Sequence, residues 1–164
     1  MLLGIDLGGT KIEGIVLESK EKPIEVIRHR VDTEEKKGYI QVVDNIKSLV
    51  EYIENKINHK FDKLGIGTPG TLDPATGLLK NSNSQCLNGM PLKKDLSKTL
   101  DKTILIQNDA NCFALAETLL GSVNDQYPHA KNVFGIIMGT GVGGGIIING
   151  KTVYGSQGLS LIHI

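Results

Sequence analysis

Near the amino end, a glycine turn separates two apolar runs: residues 1–5, then Asp6-Leu7-Gly8-Gly9-Thr10-Lys11, then residues 12–17. Two short apolar runs joined in this way predict a β-hairpin, and glycine leaves backbone N–H groups uncovered where bulkier residues would shield them. Gly8 and Gly9, with the Thr10 hydroxyl and the Lys11 cation, are therefore a candidate phosphate cradle. Asp6 ends the first strand and could hold a magnesium ion through water beside such a phosphate. The competing reading of the same residues is an ordinary hairpin loop.

A chain of 164 residues with 40% hydrophobic content can bury a real core, as one domain or one and a part. Lys plus Arg equals Asp plus Glu at 18 each, so no overall field recruits nucleic acid or an acidic membrane, and a small-molecule partner is expected. Cys86 and Cys112 have neither CxxC spacing nor nearby histidines, which argues against a disulfide framework or a complete zinc site. A reduced, cytoplasmic setting is expected. Residues 1–5 lack a basic lead and are too short for a signal or membrane segment before Asp6 interrupts them.

Pattern along the chain predicts strands near 2–6, 12–18 and 24–31, a long helix over 35–58, and a strand over 63–68. Tyr39, Val42, Val43, Ile46, Leu49, Val50, Ile53 and Ile57 recur at steps of three and four, which marks one buried helix face. An irregular stretch over 73–91 follows Gly67-Thr68-Pro69-Gly70, and its length suggests a binding role. A short helix over 92–100, a strand over 104–107, a helix over 110–120 stopping at Gly121, and strands over 133–138 and 145–148 complete the pattern.

A second glycine cluster, Gly139-Thr140-Gly141-Val142-Gly143-Gly144-Gly145, formally contains the GxGxxG pattern of dinucleotide-binding folds. Such a fingerprint must open a helix, whereas this one runs into three isoleucines and then the hairpin signal Asn149-Gly150. It is read as strand, glycine turn and strand, the same design as the first cluster, and the two suggest related halves that clasp one nucleotide. The third feature, Asn108-Asp109-Ala110-Asn111, ends an apolar strand and begins a helix. Asp109 is either the helix N-cap or a carboxylate that the helix end keeps ionised, able to take a proton from an attacking sugar hydroxyl while Asn108 orients the sugar.

With these three motifs and Gly67-Thr68-Pro69-Gly70, similar to a sugar-side loop, in order, the chain resembles the ROK family of sugar kinases, members of the actin-like ATPase superfamily with a ribonuclease H-like α/β fold. The resemblance implies ATP and Mg2+ as cofactors, with Asp6, Gly8, Gly9, Thr10 and Lys11 forming the first phosphate motif. Gly139, Thr140, Gly141 and Gly143 would form the second. It further implies Asp109 as catalytic base and Gly70, Asn81, Asn83, Asn108 and Asp109 as sugar-lining residues. Lys80-Asn81-Ser82-Asn83-Ser84 and Leu87-Asn88-Gly89 are most similar to the fructokinase and mannokinase branch, so fructose or mannose is the expected substrate. The alternatives are an N-acetylhexosamine kinase and the sugar-sensing module of a ROK repressor. A repressor would carry a helix-turn-helix ahead of the first glycine turn, yet Asp6 lies only five residues after Met1.

The resemblance breaks after Gly158. The family pattern continues into a segment whose Glu and His contact sugar hydroxyls and then into a cysteine-rich zinc motif, so the ligands for the Zn2+ expected in the parent protein are absent here. Leu159-Ser160-Leu161-Ile162-His163-Ile164 departs from that pattern and reads as a non-native tail, in which His163 is no sugar ligand. The expected organisation is a sugar-side domain over 1–118, the opening strands of a nucleotide-side domain over 119–158, and the tail over 159–164. By itself the chain is expected to be inactive, and its parent is expected to be a homodimer.

Overall fold

The computed structural model describes residues 1–138, 142–155 and 159, and the chain divides into two compact units, Met1–Gln107 and Asn108 onward. The first is built on a five-stranded sheet. Strands β1 (Leu2–Leu7), β2 (Lys11–Leu17) and β3 (Glu25–Asp32) form an antiparallel meander, and β4 (Lys63–Thr68) pairs parallel to β1. A further strand, β7 (Thr103–Asn108), follows β4 in the order β3-β2-β1-β4-β7. Alternation puts Leu3, Ile5 and Leu7 of β1 and Ile12 and Val16 of β2 in the core.

Helix α1 (Tyr39–Ile57) lies along β2 and β3. Its face Val42, Val43, Ile46, Leu49, Val50 and Ile53 is buried, as the spacing predicts. The helix begins later than the predicted residue 35. Glu34 and Gly38 both take positive φ, 55° and 96°, and residues 35–37 form a separate 3-10 turn between them. At the other end Glu54 is buried; its carboxylate accepts from the Phe61 N–H at 2.9 Å and pairs with Lys102 at 2.8 Å.

The stretch predicted to be irregular contains a small hairpin, β5 (Thr71–Leu72) and β6 (Leu79–Lys80). The Asp73 carboxylate nucleates its turn by accepting from the Ala75 and Thr76 N–H groups and pairing with Lys80 at 3.0 Å. Helix α2 (Leu92–Leu100) follows, tied to α1 where the Tyr39 hydroxyl donates to Asp95 at 2.6 Å.

The second unit holds helices α3 (Asp109–Leu119) and α4 (Ser122–Gln126) and a sheet of β8 (Asn132–Met138), β9 (Val142–Ile148) and β10 (Lys151–Thr152). The compact units part between Gln107 and Asn108, and within the second α3 packs with β8 and β9. Gly145 makes that packing possible. A Cβ there would lie 2.8 Å from the Ala110 carbonyl and 2.9 Å from the Ala114 methyl. Strand β9 starts at Val142, ahead of the expected Gly145, so Gly143 and Gly144 belong to the strand and not to the turn that the glycine run predicts. Helix α4 has no apolar period to announce it; Ser122 at its start donates through N–H and hydroxyl to the Glu117 carboxylate.

Candidate functional site

The first glycine turn joins β1 to β2, and its closing bond runs from the Gly8 N–H to the Lys11 carbonyl at 2.9 Å. That donor is therefore used within the hairpin and does not face a ligand, unlike the uncovered N–H groups expected from the sequence. Thr33, fully buried, straps the turn from the end of β3. Its N–H donates to the Thr10 carbonyl at 2.9 Å and its hydroxyl to the Gly8 carbonyl at 2.6 Å. Gly9, Thr10 and Asp6 are exposed, and the Lys11 ammonium pairs with Asp32. Register sets Asp6 beside Gly67 of β4, so the carboxylate and the Gly67-Thr68-Pro69-Gly70 segment share one end of the sheet.

Thr68 is buried and its hydroxyl is 3.5 Å from the Gln107 carbonyl, which holds the ends of β4 and β7 together. Gly70 is buried with φ of 83°, and a Cβ there would meet the Lys80 carbonyl at 2.3 Å and the Ser82 nitrogen at 2.8 Å. It lets the 80–83 segment cross at backbone contact. Asn81, in the left-handed region at φ 59°, and Asn83 are exposed on that segment and line an open depression of about 560 Å3 with Asp73, Lys80, Gln85 and Asn88. Asn88 fixes its floor, accepting from the Ser82 N–H and donating to the Ser82 carbonyl, both at 2.9 Å.

In the second unit, Asn108 is the N-cap of α3, its side-chain oxygen accepting from the Asn111 N–H at 3.3 Å. Asp109 is the first residue of the helix and not its cap. One of its oxygens receives the Asn108 amide at 2.9 Å and the Ala110 N–H at 2.8 Å. Burial pushes the Asp109 carboxyl above the ordinary aspartate value, and those two donors only partly oppose it. The donors at the helix end act in the direction that the sequence predicts, lowering the carboxyl, and burial is the larger influence on its proton affinity. An oriented carboxylate with raised proton affinity is suited to accepting a proton as a general base.

Gly143 lies in β9 with its Cβ side 3.4 Å from the Ala110 methyl. Gly139, Thr140 and Gly141, predicted phosphate ligands, and His163 lie outside the described residues. The structure thus brings Asp6 and the first turn to one sheet end, joins Gly70 to Asn81, and couples Asn108 to Asp109. Sequence reasoning missed the Thr33 strap and the Asx turn at Asp73. A break at Gly38 was the available signal for the first, since glycine just before a helical period separates strap from helix.

Among the described residues no group of three or more His, Cys, Asp or Glu side chains could hold a metal, so no zinc site is formed by them. Magnesium asks less of a protein: one exposed carboxylate oxygen plus water and phosphate suffices, and Asp6 fits that role.

A model of the ROK family matches residues 2–161. The N-acetyl-D-glucosamine kinase of Mannheimia succiniciproducens is 41% identical over 160 residues, covering 98% of this chain and 50% of that protein, and the enzyme of the same name from Histophilus somni is 40% identical with the same coverage. Among solved structures, the ROK hexokinase of Thermus thermophilus matches with a TM-score of 0.79 at 28% identity, over 96% of this chain and 50% of that one. A ROK family glucokinase from Streptomyces griseus, solved with glucose and AMPPNP, matches with a TM-score of 0.78 at 28% identity, over 97% and 48%. The chain spans about half the length of the relatives it matches. These likenesses establish the α/β fold of the actin-like ATPases.

Proposed function

Since the chain belongs to the ROK family, we propose that the protein it represents transfers the γ-phosphoryl group of ATP to a hydroxyl of an N-acetylated hexosamine, N-acetyl-D-glucosamine first. The observation that carries the chemistry is Asp109, fixed by Asn108 and the Ala110 N–H at the start of α3 with its proton affinity raised by burial. Asp109 accepts the hydroxyl proton as that oxygen attacks phosphorus, and ADP leaves. Positioning contributes more than proton transfer in such reactions, and Asn81 and Asn83 supply amides that hydrogen-bond a sugar. Magnesium, held by Asp6, would neutralise charge on the transferring phosphates.

Relatives about 40% identical are named for N-acetyl-D-glucosamine, which favours the acetylated-sugar alternative over fructose or mannose. Loop amides could not have decided this, because an asparagine serves a hydroxyl and an acetamido group equally well. ADP release measured across N-acetylglucosamine, N-acetylmannosamine, glucose, mannose and fructose tests the proposal, using the chain extended to the length of its relatives. N-acetylglucosamine should exceed fructose in kcat/KM at least tenfold. Fructose as the best substrate would restore the branch read from the loop, and no turnover on any sugar would overturn the kinase assignment. Residues 1–164 alone should yield no sugar phosphate in the same assay.

A further inference from the structure

Glu35 stands at the start of the 3-10 turn that follows the Thr33 strap, and its Oε2 is a buried atom with no hydrogen-bond partner among the described residues. Its surroundings belong to the first unit alone. A Cβ placed on Gly9 would lie 3.7 Å from Oε2 and 3.5 Å from the Ser84 hydroxyl, so both oxygens converge on one side of the glycine turn. The Cys86 thiol is pushed up by burial and then by the Glu35 charge. The strap itself is rigid: Asn45 of α1 donates to the carbonyls of Asp32 and Thr33 at 3.1 and 3.2 Å and to Glu34 at 3.4 Å.

A buried acceptor without a donor destabilises the fold that contains it. Here it sits between the glycine turn and the segment that carries Asn83, where a carboxylate repels phosphate and attracts an O–H or N–H. Glu35 as a whole is only half-buried, so the residue reaches the accessible edge, and the broad last torsion of a glutamate lets its carboxylate turn toward a donor there. We propose that Glu35, with the Ser84 hydroxyl beside it, is a sugar-binding and specificity-determining residue: it accepts a hydrogen bond from a neutral donor on the substrate, a ring hydroxyl or the acetamido N–H. This rests on the sugar kinase reading above. The glycine turn then serves two ligands, with phosphate excluded from the Glu35 side of Gly9.

Steady-state kinetics of Glu35→Ala and Glu35→Gln in the extended protein decide it. Glu35→Ala should raise KM for the best sugar tenfold or more with kcat within about threefold and KM for ATP unchanged. Glu35→Gln, which keeps an acceptor oxygen, should recover most of that loss. The ligand-free melting temperature should not fall in either variant, because the acceptor they alter satisfies nothing. A sugar KM that does not move, a change confined to ATP, or a shift in magnesium dependence would overturn the assignment, the last pointing to a hydrated metal as the donor. If the wild type turns over no sugar, the kinase reading fails by itself. Glu35 is then judged by melting with N-acetylglucosamine: a sugar-induced rise seen in wild type and lost in Glu35→Ala supports the assignment, and equal behaviour of the two overturns it.

Discussion

The two units differ in how their apolar residues are used. In the first, buried side chains run without a break from Leu3 of β1 through the inner face of α1 to Leu96 of α2 and Ile104 of β7. In the second, the buried apolar residues among those described are Ala110, Ala114 and Ile147, while Phe134 is 55% exposed, Ile136 50% and Met138 81%. Helix α3 covers one side of the β8–β9 hairpin through close approach at Gly145, and the other side carries an apolar row in solvent. The first unit therefore holds most of the stability, and the second holds Asp109 on a lightly packed platform. Chemistry and stability should be separable by mutation.

Asp109→Asn should give the largest effect. In the extended protein kcat should fall by about two to four orders of magnitude, the usual loss for an acid–base group, with sugar KM within a few fold. Melting should barely change, since Asn108 caps the helix and the introduced amide keeps the shape of the carboxylate it replaces. Because burial raises the Asp109 proton affinity and a base must be deprotonated to act, activity should fall as pH drops through a midpoint above the ordinary aspartate range. An acid limb at or below that range would show that desolvation does not govern the group. The converse experiment is Ile53→Ala in α1: this side chain is fully buried, so the loss should be about 2–5 kcal/mol in denaturant unfolding with Asp109 chemistry intact in the folded fraction.

Glu54 gives a smaller effect and a sign. Burial alone would raise its carboxyl, but Lys102, the Phe61 N–H and Lys60 together hold it below the ordinary glutamate value. A depressed folded-state value means stability that is fully present above the unfolded glutamate's value, about 4.3, and is lost as pH falls through the folded one. Unfolding free energy followed from pH 6 to 3 should decline less steeply in Glu54→Gln than in wild type. Equal slopes would show that the cluster adds nothing to the acid lability of the first unit.

Legibility followed packing. The face of α1 was readable because burial against a sheet imposes a 3.6-residue period, and β1 and β2 because alternation reports one buried side. The start of α1 was not, since Glu34 and Gly38 adopt positive φ that composition alone does not demand at a glutamate. In the second unit the glycine run reads as a turn up to Gly145, although Gly143 and Gly144 form strand; glycine says that something comes close, and only the fold shows that it is α3. Asp109 was found because strand-end carboxylates before helices are few. Of its two readings the cap falls to the neighbour Asn108, since two adjacent residues both suit an N-cap and the sequence alone does not choose between them. Glu35 falls inside a predicted helix, and nothing in the sequence marks a carboxylate oxygen that tertiary structure leaves without a donor among the described residues.

The smallest effect on stability should come from Ile136→Thr, and it bears most directly on the contrast between units. Ile136 is half exposed and sits opposite Gly144 across the β8–β9 ladder, so no cross-strand side chain loses a partner. Threonine keeps the β-branched shape that strands favour, so the change should stay within about 0.5 kcal/mol. The same substitution at Ile46, fully buried in α1, places a hydroxyl in the core and removes apolar volume, and should destabilise by several times that amount. What Ile136→Thr should alter is association. Contiguous exposed apolar area on a sheet face recruits other apolar surfaces, so the variant should bind less of the dye ANS and stay monodisperse to higher concentration in light scattering. A loss of more than about 1 kcal/mol at Ile136, or dye binding unchanged by the substitution, would mean that this row is already packed and that the second unit is as self-sufficient as the first.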